Sequence, residues 1–175
     1  MSDTGTKTAE NSVIVKAWQC LPRIASLAFT TTPGPRSRTG WAGTGHAEVL
    51  CEHGHDTLRF SETGLFTPAD SDRPLNFHNS FRWERRADVL SLSHERFGRD
   101  RPVWLFDLIA TGNDCLTSAD PHVCNADLYQ AKLTLTQAGF TLQWSISGPA
   151  KDETLIYHYR VADPVHKDVD APAHR

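Results

Sequence analysis

The sequence predicts an all-β protein: an antiparallel up-and-down barrel of about eight or nine strands behind a short N-terminal helix. Three observations carry this. Apolar residues recur at every second position over much of the chain, the period of a strand with one buried face. The links between these runs are mostly short and carry turn residues, which implies antiparallel neighbours. And 175 residues, 39% of them hydrophobic, suffice for one core of ordinary size and are too few for two. A sandwich shares the first two features. A barrel suits them better, because each strand then turns its one apolar face to an interior that is filled or holds a small ligand.

Residues 1–11 are polar and small and read as a disordered leader. Residues 12–162 read as the single barrel domain, and 163–175, punctuated by Pro164 and Pro172, as a flexible tail. The first element is a short helix: Ser12 is a fitting N-cap, Val13, Val15, Lys16 and Trp18 follow, and Pro22 blocks continuation. Residues 23–32 end in a Thr-rich stretch before Pro33, Gly34 and Pro35, which favours a strand running into a turn.

Strands follow over 41–51, 56–66, 76–85, 88–95, 103–109, 127–136 and 140–147, and Leu155, Tyr157 and Tyr159 close the series. Leu90, Leu92 and His94 share one face, as do Tyr129, Ala131, Leu133 and Leu135, and Phe140, Leu142, Trp144 and Ile146. Turns are expected at 52–56, 85–88, 137–139 and 148–152.

Eighteen Lys and Arg against 21 Asp and Glu leave a net charge of -3, unlike the basic balance of a nucleic-acid binder, so no nucleic-acid partner is expected. No apolar run approaches the roughly 20 residues of a membrane helix, and no membrane partner is expected. The first residues lack the basic-then-apolar pattern of a secretory signal. Cys20, Cys51, Cys115 and Cys124 form no CxxC pair. Reduced thiols and a cytoplasmic location are the simplest reading; a Cys115–Cys124 bridge across a short loop is the alternative. The expected state is a monomer or homodimer.

Two stretches carry a family resemblance. One is Phe81-Arg82-Trp83-Glu84-Arg85, followed by Leu90-Ser91-Leu92 and Phe106-Asp107-Leu108. The other is His122-Val123-Cys124-Asn125-Ala126-Asp127-Leu128-Tyr129, followed by Trp144-Ser145-Ile146-Ser147-Gly148-Pro149-Ala150-Lys151-Asp152 and Tyr159. Over about residues 14–161 this order resembles the DUF6314 family, a group of small lipocalin-like proteins. The resemblance implies a calycin-type barrel and no particular substrate.

Several residues stand out chemically. If residues 122–129 are extended, His122 and Cys124 lie on one face and Asp127 and Tyr129 on the other, unless Asn125 and Ala126 form a turn that re-aims them. The four then either ring the mouth of a barrel and orient a mostly apolar ligand, or form a purely structural network. Arg82 and Trp83 face opposite ways. Trp83 inward beside Phe81 is the simpler packing; Arg82 inward would be a buried cation suited to a carboxylate-bearing ligand. Lys151 reads first as a solvated hairpin residue and second as a rim cation. Trp144, Tyr157 and Tyr159 are expected in the interior wall. His94, His122, Asp127 and Tyr129 are the acid–base candidates.

Cys51, His53 and His55 share a strand face, but they run into a hairpin tip that offers no fourth ligand. His122, Cys124 and His158 would need tertiary proximity. Neither a metal nor a cofactor is expected. No phosphate-binding Gly loop and no nucleophile elbow occur. The expected function is therefore binding of a small, mostly apolar ligand, with a carboxylate as an option. The alternative is an enzyme on the same barrel, an isomerase, cyclase or lyase using His122, Asp127 and Tyr129.

Overall fold

Antiparallel pairing runs unbroken around the molecule and closes on itself. The structure, a computed structural model, describes residues 13–163. The leader, Ser12 and the tail beyond Asp163 lie outside the described residues. The strands are β1 (Ile24–Pro33), β2 (Gly43–His53), β3 (Thr57–Pro68), β4 (Leu75–Arg86), β5 (Val89–His94), β6 (Val103–Ala110), β7 (Cys115–Ser118), β8 (His122–Cys124), β9 (Asp127–Thr136), β10 (Gly139–Ser147) and β11 (Asp152–Val161).

Among the described residues, ten strands form a closed barrel in the order β10-β11-β1-β2-β3-β4-β5-β6-β7-β9, with β9 returning to β10. The extra strand, β8, also pairs with β9. The expectation of eight or nine strands is corrected by these two short segments. Four and three residues are too few to display a period, and Leu116 is the only aliphatic side chain of β7. Between the pairs Thr117↔Lys132 and His122↔Tyr129 the chain advances five residues against three on β9, so β7 and β8 are two pieces of one interrupted edge.

The first helix is present over residues 13–20. A 3₁₀ turn, Leu21–Arg23, carries Pro22 where the α-helix stops. Val13, Ile14, Ala17 and Leu21 are all at most 2% exposed and belong to the same core as the barrel interior. They plug the end where β1 begins. The short links 54–56, 87–88, 111–114 and 137–138 lie at this closed end. The opposite end carries the loops 34–42, 69–74, 95–102, 125–126 and 148–151.

Alternation sets the interior. Leu58, Phe60, Trp83, Leu90, Leu92, Phe106, Leu108, Leu133, Phe140 and Leu142 are nearly inaccessible and fill the half near the plug. Trp83 meets Phe60 and Phe140 edge-on, each at 6.1 Å. The expected faces of β5, β9 and β10 are those observed. Nearer the open end, a Cβ on Gly45 would fall inside the Phe29 ring. The missing side chain lets Phe29 lie flat on β2 and stack on Phe66 and Tyr157, with ring centroids 5.9 and 5.1 Å away.

Candidate functional site

The open half of the barrel is walled by aromatic side chains that point inward yet keep accessible surface. Phe77, Tyr129, Trp144 and Tyr157 are half-buried although alternation turns them to the interior. Phe81 stacks on His94 at 4.8 Å, and Phe106 meets Trp144 edge-on at 5.1 Å. The Trp144 indole N–H and the Thr31 hydroxyl are buried and have no hydrogen-bond partner. The Trp83 indole, deep in the packed half, is unpartnered too, so what distinguishes Trp144 is its half-buried position, from which the N–H can donate to a polar atom brought to the site. Two grooves of about 510 and 530 Å³ lie elsewhere, one beside the helical plug near Lys16 and Asp114, the other on the outer wall near His46 and Arg160.

A buried carboxyl group, Glu62, lies inside this wall. Glu62 is fully buried on β3, on the face of Leu58 and Phe60. Tyr159 donates to its Oε1 at 2.6 Å, and Asn79 donates to Oε2 at 3.4 Å. Burial raises the Glu62 carboxyl to about 7, the two hydrogen bonds only partly opposing it. Burial and the nearby Glu62 charge hold the Tyr157 and Tyr159 phenols above their ordinary range. His94 is lowered, first by burial and then by Arg96, which favours the neutral ring.

At the rim, residues 122–129 form a tight hairpin. Asn125 takes a left-handed φ of 57°, a conformation Asn tolerates. The turn pairs His122 with Tyr129 and Cys124 with Asp127, so all four side chains share one face. Lys151 then ties the hairpin to the β10–β11 turn: its Nζ donates to Asp127 Oδ2 at 2.7 Å and to the Tyr129 hydroxyl at 2.9 Å. Those bonds, Asp127 first, raise the Lys151 pKa, so the ammonium persists at any physiological pH. Gly148 lies so close to Asp127 that a Cβ there would strike the carboxylate. Asp152 accepts from the Arg36 backbone N–H at 3.3 Å and anchors the 34–42 loop. Buried Glu153 accepts from Ser37 and Thr39, both at 2.7 Å.

Asp127→Asn is expected to weaken this clamp and cost about 1 kcal/mol, because Lys151 is partly solvated. Denaturant unfolding of both proteins at equal ionic strength measures it. Identical curves would show that Asp127 does not anchor the rim.

The structure thus brings together His122, Asp127, Tyr129 and Lys151 at the rim and puts Trp144 and Tyr157 in the wall below. Tyr159 lies deeper, bound to Glu62. Trp83 faces inward but sits in the packed half, 1% exposed. Arg82 points outward, where it and Arg59 grip the buried carboxylate of Glu95. Burial pushes Glu95 up, but the two arginines outweigh it and the carboxyl is lowered. The argument for a buried cation at Arg82 thereby loses its residue. Cys124 is exposed at the hairpin, and all four cysteines are unbridged. His55 pairs with Asp56 at 2.9 Å. Among the described residues no group of three or more His, Cys, Asp and Glu gathers to hold a metal. Sequence reasoning missed Glu62, Asn79 and Thr31. For Glu62 a signal was there, since period two puts it on the Leu58–Phe60 face.

Residues 29–161 match DUF6314, a family of unknown function. The chain belongs to the DUF6314 family. The match takes in the whole barrel wall from Phe29 on β1 to the end of β11, and both segments of the rim clamp. Comparison with curated proteins and with solved structures finds no match. For this DUF6314 protein, functional inference therefore rests on its own geometry.

Proposed function

We propose that this DUF6314 protein binds a small, mostly apolar molecule in the open half of its barrel, in the manner of a lipocalin. The observation that carries the reading is the inward, half-buried Trp144, set against Phe81, Phe106 and Tyr157 with its indole N–H unpartnered. Flat rings such as Phe77 and Tyr157 suit a planar or unsaturated ligand, and the indole N–H suits a carbonyl or ether oxygen on it. Among the described residues, the rim cation Lys151 is already bonded to Asp127, and the buried acid Glu62 would oppose a second anion. A neutral ligand fits this interior better than a free carboxylate.

Titration with the neutral fluorophore N-phenyl-1-naphthylamine tests the reading. The expected result is saturable enhancement with quenching of tryptophan emission, and Trp144→Ala, which removes one ring from the wall, is expected to weaken binding about tenfold. Non-saturable fluorescence, or equal binding by the variant, would sink the assignment to this wall.

A second reading has its own support. Tyr129 accepts from Lys151, so its own hydroxyl hydrogen is left for another acceptor, and the His122 ring lies 5.9 Å away. That is a fitting arrangement for acid–base isomerase, cyclase or lyase chemistry. Deuterium entering carbon positions of a ligand recovered from D₂O, and its loss in Tyr129→Phe, would favour catalysis over binding.

A further inference from the structure

Among the described residues three glutamates are buried, and cations meet just one of them. Glu95, on the outer side of the wall, is gripped by Arg59 and Arg82. Glu153, turned inward near the mouth, is held by the Ser37 and Thr39 hydroxyls. Glu62, deeper on the inner face, is 0% exposed and is held by Tyr159 and Asn79. Tyr159 donates to one carboxyl oxygen and Asn79 to the other. A carboxylate oxygen accepts more than one hydrogen bond, so both retain acceptor capacity.

The lining around this acid is negative. Among the described strand residues that alternation turns into the open half and its rim, Glu62, Asp127 and Glu153 are acids and none is Lys or Arg. The rim cation Lys151 is already engaged by Asp127. The His94 ring is kept neutral, first by burial and then by Arg96.

The side chains next to the acid are aromatic. Asn79 stands between Phe77 and Phe81 on the inner face of β4. Phe77 meets Phe29 edge-on at 5.5 Å, and Phe29 stacks on Tyr157 at 5.1 Å. Tyr157 in turn stacks on Tyr159, the donor to Glu62, at 6.2 Å. The faces of such rings attract a cation.

We propose that the ligand of this barrel is a protonated amine with an apolar body, its ammonium set against Glu62 and its body along the aromatic wall. The proposal rests on the ligand reading and gives that ligand its polar group. An ammonium brings N–H donors and a full positive charge. It provides the counter-charge that a buried carboxylate needs, and the ring faces stabilise the same charge. Without a cation the Glu62 carboxyl keeps its proton up to about pH 7. Beside an ammonium it ionises, and its proton goes to solvent. The other ionisable groups that face it, Tyr157 and Tyr159 of β11, are phenols held neutral by burial. An anionic ligand would meet the same acids with the wrong sign.

Displacement of bound N-phenyl-1-naphthylamine by three phenyl compounds of matched size tests it: 2-phenylethylamine, 2-phenylethanol and 3-phenylpropanoate. At pH 8 the amine is still protonated and the Glu62 carboxyl is past its raised pKa of about 7. The amine is expected to displace the probe at a concentration about tenfold below the alcohol, the worth of a hydrogen bond to a charged group, with the carboxylate weakest. Glu62→Gln keeps an acceptor for Tyr159 but has no charge, so the ratio of amine to alcohol affinity should fall to near one. Thermal unfolding of the variant checks that it is folded, and the comparison among the three compounds stands without it. Equal displacement by amine and alcohol, a preference for the carboxylate, or an amine preference that Glu62→Gln retains would overturn the proposal while the probe still binds. Absence of saturable probe binding removes the ligand reading and this proposal with it.

Discussion

Trp83→Ala is expected to cost about 3–5 kcal/mol, the range for deleting a fully buried large aromatic. Trp83 is 1% exposed, is flanked in register by Leu58 and Leu92, and wedges between Phe60 and Phe140 in the packed half of the barrel. Its truncation leaves a void that neighbours on closed strands cannot collapse into. Since a domain of this kind holds only about 5–15 kcal/mol in all, the loss is a third or more of its stability. The midpoint of thermal unfolding should fall by roughly 10 °C or more. Trp83→Phe is the informative companion. The Trp83 indole N–H has no hydrogen-bond partner, so Phe forfeits volume but no hydrogen bond and should cost much less. A midpoint unchanged in Trp83→Ala would contradict the packing.

The second large effect is a dependence of stability on pH through Glu62. Its carboxyl is raised by burial to about 7 in the folded chain and returns to an ordinary value near 4.5 on unfolding. Below about pH 4 both states hold the proton. Between the two pKa values the folded state still holds it and the unfolded state has released it. Stability therefore falls as pH rises through this window, by about 1.4 kcal/mol per unit, and the fall ends once the folded carboxyl has also ionised. The whole change is about 3 kcal/mol. Glu95 acts in the opposite direction: its lowered pKa gives stability that is lost as pH falls. Comparison with Glu62→Gln separates the two, because the amide can still accept from Tyr159 but does not titrate. The variant should gain about 2–3 kcal/mol relative to the natural chain between pH 5 and pH 8. Parallel stability profiles would show that Glu62 is not held as a buried acid.

Much of this architecture was legible because a half-buried strand writes its geometry into the sequence at period two. Tyr129, Ala131, Leu133 and Leu135 on β9 declare their face without help from the rest of the fold, and so do Phe140, Leu142, Trp144 and Ile146 on β10. β7 and β8 were illegible for the converse reason. Pairing with β9 defines them, and a segment as short as His122–Cys124 has no period of its own.

The rim was half legible. The spacing of His122, Cys124, Asp127 and Tyr129 left two arrangements open, and the left-handed Asn125 decides between them. The role of Lys151 depends on a hairpin twenty-odd residues earlier in the chain, a tertiary fact that local spacing does not carry. The orientation of Arg82 was set by Glu95, which offers a buried acid on the outer side of the wall. Glu62 was overlooked for a different reason: a glutamate on an apolar face looks like an interruption until Tyr159 and Asn79 arrive from other strands.

Native mass spectrometry of the chain, before and after addition of excess N-phenyl-1-naphthylamine, tests the central claim most directly. The expected result is one molecule per chain, either a retained companion of a few hundred daltons or the added probe, released on denaturation. A spectrum that stays at the bare chain mass after the probe is added would contradict a ligand-holding barrel and leave a filled one.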